Sequence, residues 1–188
     1  MLDTNSHLSQ EEPSWFVMNA YAKSEHKAEE ALSGKDGLPY FIPKRYVIRT
    51  YNGQSQRKLV PLIPNIVFVH ATYNEVNEFQ KLHPFLGFAT TRRDGAYRIM
   101  KVPNREMEEF MEVARHYDAD LTYYRPEEIE LDKGTRIRII GGTFDGAQGI
   151  LVRIKGKRGK RLVVQIPELM AIATTYIEPE FIQILPNQ

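Results

Sequence analysis

Thr135-Arg136-Ile137-Arg138-Ile139-Ile140, Gly141-Gly142-Thr143-Phe144-Asp145-Gly146 and Ala147-Gln148-Gly149-Ile150-Leu151-Val152-Arg153-Ile154 follow one another without interruption. The outer segments alternate apolar with polar or small residues and are β-branched. The middle one is glycine-rich, so the stretch reads as strand, turn, strand. Downstream, Lys160–Ile166, Ala171–Ile177 and Phe181–Leu185 repeat the pattern with Gly and Pro between them. Five short strands in 132–188 and no helical periodicity predict a small closed all-β barrel, which removes exposed strand edges.

Working toward the N-terminus, 118–131 loses periodicity and carries Pro126 among acids, as a linker does. An acidic linker leaves the flanking domains free to move independently. Residues 14–117 have a different grammar. Trp15–Ala20 reads as a buried strand, and Ser24 is placed to cap a helix running to about Leu32. Tyr40–Tyr51, broken by Pro43, leads into Asn52-Gly53, a strong hairpin turn signal. Leu59–Ala71 returns as a strand. Pro61 and Pro64 lack ladder donors, so its start lies at an edge or is irregular. Asn74 to Leu82 reads as a helix capped by Asn74, and Pro84–Thr91 and Tyr97–Val102 as strands around Asp94-Gly95. Pro103-Asn104 opens a helix with Met107, Phe110, Met111 and Ala114 at i, i+3, i+4, i+7. Its acids, Glu106, Glu108 and Glu109, lie opposite that stripe and read as a solvated face. The whole predicts an α+β domain with an antiparallel sheet and flanking helices. Residues 1–13 read as a flexible lead-in.

Composition excludes several classes. The 188 residues contain no Cys, which removes disulfides, thiolate metal sites and a Cys nucleophile, and fits a cytoplasmic protein. No apolar run approaches the roughly 20 residues that span a bilayer, and the polar N-terminal stretch is not a targeting signal. Net charge is only +1, but its distribution is uneven. Gly37 to Asn74 has no acidic residue yet holds Lys44, Arg45, Arg49, Arg57 and Lys58. Glu106 to Glu130 is acidic, with nine Asp or Glu against Arg115 and Arg125. Arg153, Lys155, Lys157, Arg158, Lys160 and Arg161 then place six cations in nine positions. Such blocks mark surfaces for different partners.

Catalytic constellations are missing. His7, His26, His70, His83 and His116 are scattered, with no pair at i, i+4 for a zinc site. Gly156-Lys157-Arg158-Gly159-Lys160 lacks the spacer and the Ser/Thr of a phosphate loop. Gly141–Gly146 lacks dinucleotide-fingerprint spacing and a following helix. The expectation is a non-enzyme without cofactor or metal.

Two segments resemble a known family. Lys133-Gly134 to Leu151 resembles the KOW motif of NusG-type factors and some ribosomal proteins, with Gly149 as its hallmark glycine. Gly142 and Gly146 permit a tight turn with positive φ, and Gly149 lets the next strand bend where a barrel closes. Trp15-Phe16-Val17, Arg57–Val69, Gly87-Phe88 and Val102–Met107 resemble successive landmarks of the NusG N-terminal (NGN) domain. General NusG proteins carry Pro-Gly-Tyr where this chain has Pro64-Asn65-Ile66. That departure is similar to the specialised RfaH-type paralogues and, most of all, to the UpxY antiterminators of capsular polysaccharide operons.

The resemblance implies a transcription elongation or antitermination factor whose NGN domain binds the clamp helices of the largest RNA polymerase subunit and suppresses pausing. Transferred position by position, the apolar contact patch is Ile63, Pro64, Ile66, Phe68 and Phe88, with Ile63 and Pro64 exposed outside regular pairing. Lys23, His26 and Lys27, with Arg92 and Arg93, form an expected cationic rim for the non-template DNA strand or nascent RNA. The basic 153–161 hairpin is the expected surface for RNA, a ribosomal protein or a termination factor. No aromatic interleaves it, so backbone attraction rather than stacking is expected there. A monomer without membrane association is implied. The rival reading is a KOW-containing RNA-binding or ribosome-associated protein, with the basic hairpin as its principal site.

Overall fold

A computed structural model describes residues 12–124, 128, 134–154, 156, 158–166 and 169–186. The expected lead-in 1–13 falls largely outside these residues, as do positions 125–127 and 129–131 of the expected linker 118–131.

The N-terminal half is built on strand β1 (Ser14–Ala20). It pairs antiparallel with β5 (Ile66–Ala71) on one side, and with β6 (Leu86–Phe88) and β9 (Lys101–Val102) on the other. The short strand β2 (Tyr40–Phe41) adds to the free edge of β5. Two further ribbons stand apart from this sheet. One is β3 (Lys44–Tyr51) with β4 (Gln54–Pro61), and the other is β7 (Thr90–Arg93) with β8 (Ala96–Ile99).

Strand alternation divides the sheet's side chains between two cores. Phe16, Met18 and Ala20 of β1, with Val67, Val69 and Ala71 of β5, join Ala28 and Leu32 of helix α1 (Glu25–Leu32) and Val76 and Phe79 of α2 (Tyr73–Leu82). Val17, Ile66 and Phe68 join Met107, Phe110, Val113 and Ala114 of α3 (Asn104–Ala114) on the other face. The Phe68 and Phe110 rings lie 5.6 Å apart, within the range of favourable aromatic pairing.

Both turn predictions hold. Asn52 and Gly53 have φ of 50° and 76°, and Asp94 and Gly95 have 51° and 80°. Boundaries and caps shift. The hairpin returns immediately, with Tyr51 opposite Gln54, so β4 begins well before Leu59. α2 is capped by Thr72 rather than Asn74, and Thr72 and Glu75 form a reciprocal capping box. Ser24 precedes α1 as expected, but its hydroxyl donates to the Tyr21 carbonyl instead of capping the helix.

The second half is a six-stranded antiparallel sheet in the order β10-β14-β13-β12-β11-β15. Its strands are β10 (Thr122–Tyr124), β11 (Thr135–Ile139), β12 (Gln148–Arg153), β13 (Lys160–Ile166), β14 (Met170–Tyr176) and β15 (Ile182–Ile184). The all-β expectation holds. Closure does not, because the end strands β10 and β15 are not paired with each other among the described residues. The outermost strand, β10, comes from within the expected linker, where Thr122–Tyr124 pairs with Ala173–Ala171.

α3 joins the halves. Its apolar side belongs to a core that also contains Ile137, Ile139, Leu162, Val164 and Ile172 of the second sheet. The two regions are therefore packed on each other through this core. Of the acids of α3, Glu108 is exposed as expected, but Glu106 and Glu109 are not part of a solvated face. Glu109 pairs with Arg136 of β11 and with Arg105 at 3.2 Å, and Glu106 Oε2 is buried without a partner among the described residues. No helix among those residues is long and apolar enough to cross a membrane.

Candidate binding surfaces

The C-terminal end of β1 gathers the residues from which a binding surface can be built. Asn19 lies opposite Ile66 on one side and Gly87 on the other. Beyond it the chain makes a single 3₁₀ turn, Tyr21–Lys23, in which Ala22 and Lys23 hold positive φ of 55° and 58°. Left-handed backbone costs a non-glycine residue about 1–2 kcal/mol, so something must hold it. Asn65, itself at φ 64°, provides three ties. Its carbonyl accepts from the Ala20 amide at 2.8 Å, and its side-chain Oδ1 accepts from the Lys23 amide at 3.2 Å. Its own amide donates to Glu25 Oε1 at 2.7 Å. Glu25 is only 7% exposed, and this contact to its carboxylate is short, as charge-assisted hydrogen bonds are. Asn tolerates the left-handed region better than most residues. Asn65 thus holds a positive φ while its side chain supplies an acceptor that a glycine there would lack.

The knot aims its neighbours outward. The Tyr21 amide donates to the Phe85 carbonyl at 2.8 Å, and the ring lies over Gly87, where a Cβ would come within 2.2 Å of the phenol oxygen. Tyr21 nevertheless remains 53% exposed, and Lys23, His26, Lys27 and Pro64 are exposed on the same end of the sheet. Arg92 is exposed but stands on the separate β7–β8 ribbon. Arg93 continues that strand, and its side chain is outside the described residues.

The five-residue apolar patch does not form one surface. Phe68 is fully buried against Phe110, and Ile63 and Ile66 are buried in the same α3-facing core. The expected exposure of Ile63 is therefore corrected. Although it lies outside regular pairing, it is buried as a member of the core cluster that includes Phe68 and Phe110. Phe88 pairs with Met18 and so faces the opposite side, against Phe16 and Tyr73 at 5.6 and 5.5 Å. Only Pro64 is exposed as expected.

The second sheet reassigns two further roles. Gly142 and Gly146 adopt φ of 72° and 87°, as their turn requires. Gly149 is needed for a different reason from the expected bend, because a Cβ there would sit 2.6 Å from the Val163 carbonyl of β13. In the basic turn, Arg153, Arg158 and Lys160 are exposed, while Lys155 and Lys157 lie outside the described residues. Arg161 is not a free cation. It is half-buried and donates to the Thr174 carbonyl at 2.7 Å. An aromatic does accompany the turn: the Tyr176 ring lies where a Cβ on Gly159 would be, 2.2 Å away. Sequence spacing hides this neighbour, which register brings in from β14, where Tyr176 pairs with Arg161. Among the described residues no group of acids and histidines is arranged to hold a metal.

The family model described as "Transcription termination factor nusG" matches residues 13–111, just over half of the chain. The chain belongs to the NusG family. Members of the NusG family are non-enzymatic transcription elongation and termination factors, which agrees with the lack of a catalytic constellation in the sequence. Among solved structures, the chain is similar to one described as "Domain interaction in Thermotoga maritima NusG". Identity is 20% over 93% of this chain and 98% of that one, with a TM-score of 0.43. Among curated proteins none matches.

Proposed function

We propose that this NusG-family chain binds RNA polymerase at the clamp helices of its largest subunit and suppresses pausing or termination on particular operons, as UpxY- and RfaH-type antiterminators do. The observation that carries this reading is the Asn65 knot. It holds exposed Pro64 beside exposed Tyr21 and the cations Lys23, His26 and Lys27 at one end of the N-terminal sheet. An apolar contact with a basic border fits a partner that presents protein and a nucleic-acid strand side by side. Ile63, Ile66 and Phe68 then support the contact from within the core, and Phe88 supports it from the opposite face.

The test is a pull-down of bacterial core RNA polymerase by the full chain, with wild type beside Pro64→Asp. This exposed substitution spares the core that Ile66→Asp would disrupt. Capture by wild type and its loss in the folded variant supports the reading, and no capture by wild type refutes it. Lys27→Ala and Arg92→Ala are expected to weaken recruitment to promoter-proximal DNA; unchanged recruitment removes the cationic rim from the proposal.

A second reading, RNA or a ribosomal or termination-factor partner at the basic turn of the KOW-like region, is favoured by Tyr176. Its half-exposed ring gives Arg153, Arg158 and Lys160 the stacking platform that the sequence alone lacked. Salt-dependent RNA binding without polymerase capture would make it the main function.

A further inference from the structure

The two faces of the β3–β4 ribbon meet different surroundings, and register assigns every side chain to a face. Residues directly opposite each other in an antiparallel pair share a face. Lys44, Tyr46 and Ile48 therefore share one with Pro61, Leu59 and Arg57. The cations on that face are already engaged. Lys44 pairs with Glu29 of α1, and Arg57 pairs with Asp118 and stacks 3.8 Å over the Tyr46 ring. The Tyr46 amide also donates to the Tyr117 carbonyl, which roots the ribbon at this side.

The other face carries Arg45, Val47, Arg49 and Tyr51 opposite Val60, Lys58, Gln56 and Gln54. Arg45, Arg49 and Lys58 are exposed, and none is in an ion pair among the described residues. Tyr51, at the tip, is 74% exposed. No acidic residue occurs anywhere between Gly37 and Asn74 to neutralise this face locally. Three like charges on one side of a ribbon, in no ion pair among the described residues, repel one another and suit a surface that meets a polyanion.

We propose that the Arg45–Lys58–Arg49 face of the β3–β4 ribbon binds duplex DNA. Geometry favours duplex over single strand. At roughly 3.4 Å per residue the eight-residue β3 is about 27 Å long, and Arg45 to Arg49 spans roughly 14 Å with Lys58 opposite Val47 midway. A two-stranded ribbon is what the B-DNA major groove, about 12 Å wide, admits. The cations supply phosphate contacts, and the amides of Gln54 and Gln56 stand on the same face, available to base edges. Single-strand recognition rests on a series of stacking aromatics, and this face has one, at its tip. The proposal is independent of polymerase binding, since the ribbon is a separate sheet from the one that carries Pro64.

The experiment is fluorescence anisotropy of the full chain on a short labelled DNA duplex, on one of its strands, and on an RNA of the same sequence, across a salt series. Wild type is compared with Arg45→Gln/Arg49→Gln/Lys58→Gln and with Lys44→Gln/Arg57→Gln. Each phosphate contact contributes about −0.9 to the slope of log affinity against log salt, so the triple variant is expected to lose about 2.7 of slope. Equivalently, between about 50 and 200 mM salt wild type loses ~40-fold more affinity for the duplex than the triple variant does. The Lys44/Arg57 variant is expected to retain the wild-type slope. An unchanged slope in the folded triple variant overturns the proposal, as does equal loss in the opposite-face variant. Stronger binding to the single strand or the RNA overturns the duplex assignment, and absence of any duplex binding by wild type overturns the whole. Because the pull-down reads polymerase alone, either result leaves the other interpretable.

Discussion

Asn65 permits a quantitative test because its two contributions separate by substitution. Alanine at this position must hold φ near 64° without a side chain that tolerates it, and it loses the acceptor for the Lys23 amide. The conformational part is about 1 kcal/mol, the lower end of the left-handed penalty, because Asn already bears some of it. The hydrogen bond contributes about 0.5–1.5 kcal/mol, nearer the lower value because Lys23 is exposed. Asn65→Ala is therefore expected to destabilise by about 2 kcal/mol. Glycine removes the strain but not the lost acceptor, and its freer unfolded chain costs about 0.4–1 kcal/mol. Asn65→Gly should fall between wild type and alanine, up to about 0.6 kcal/mol above the latter, the strain it removes less the entropy it adds. The assay is urea unfolding followed by the single tryptophan, Trp15, which sits on β1 and packs against the α3-side core. With a urea slope of about 2 kcal/mol/M, the midpoint should drop by about 1 M for alanine and by up to about 0.3 M less for glycine. If glycine is as damaging as alanine, or more so, positive φ is not what selects Asn65.

Three further outcomes follow from the packing. Gly149→Ala drives a Cβ into the Val163 carbonyl, a backbone atom that cannot swing away, and should destabilise by about 1–3 kcal/mol, read by thermal unfolding. Glu109→Ala removes the carboxylate shared by Arg136 and Arg105 at the junction of α3 and the second sheet. It is expected to cost about 1–3 kcal/mol by leaving half-buried Arg136 without its partner, whereas an unchanged melt would mean that Arg136 is not stranded by the loss. Thr72→Ala should cost about 1 kcal/mol by removing the α2 cap. Hydrogen bonds from the Thr72 amide and hydroxyl hold the Glu75 carboxyl below its ordinary value, so that contribution is complete above the unfolded value and disappears as pH falls through the folded one. The gap between wild type and Thr72→Ala should accordingly narrow in acid. A gap that is constant with pH would show that Glu75 takes no part.

What was legible in the sequence was what local physics determines. Asn52-Gly53 and Asp94-Gly95 announce turns because few other pairs accept two positive φ values in succession, and the β3–β4 and β7–β8 ribbons follow from them. The stripe on α3 announces a buried face for the same kind of reason. Ile63 could not be placed this way, because burial outside regular pairing is decided by tertiary packing, here by a core cluster that draws on several elements. Arg161 and Tyr176 are hidden by the same cause. A run of cations looks like one surface in sequence, but the strand register turns Arg161 toward Thr174 and brings Tyr176 beside Gly159.

α3 shows why the acidic side of a helix cannot be assigned to solvent from periodicity. An apolar stripe locates one buried face and says nothing of whether the opposite face meets water or a second layer. Here the stripe serves the N-terminal sheet through Phe110, while Glu109 reaches Arg136 and Glu106 is partly covered by the second sheet. A half-buried ion pair contributes orientation more surely than stability, because the desolvation of both groups offsets much of their attraction. The Glu109–Arg136 contact is thus better understood as setting where the second sheet sits on α3 than as holding it there; the apolar contacts of Leu162, Val164 and Ile172 do the holding. On that division of labour, Glu109→Ala combined with Arg136→Ala should recover part of the stability that Glu109→Ala alone loses. The double variant removes both members of that pair, whereas the single one strands Arg136.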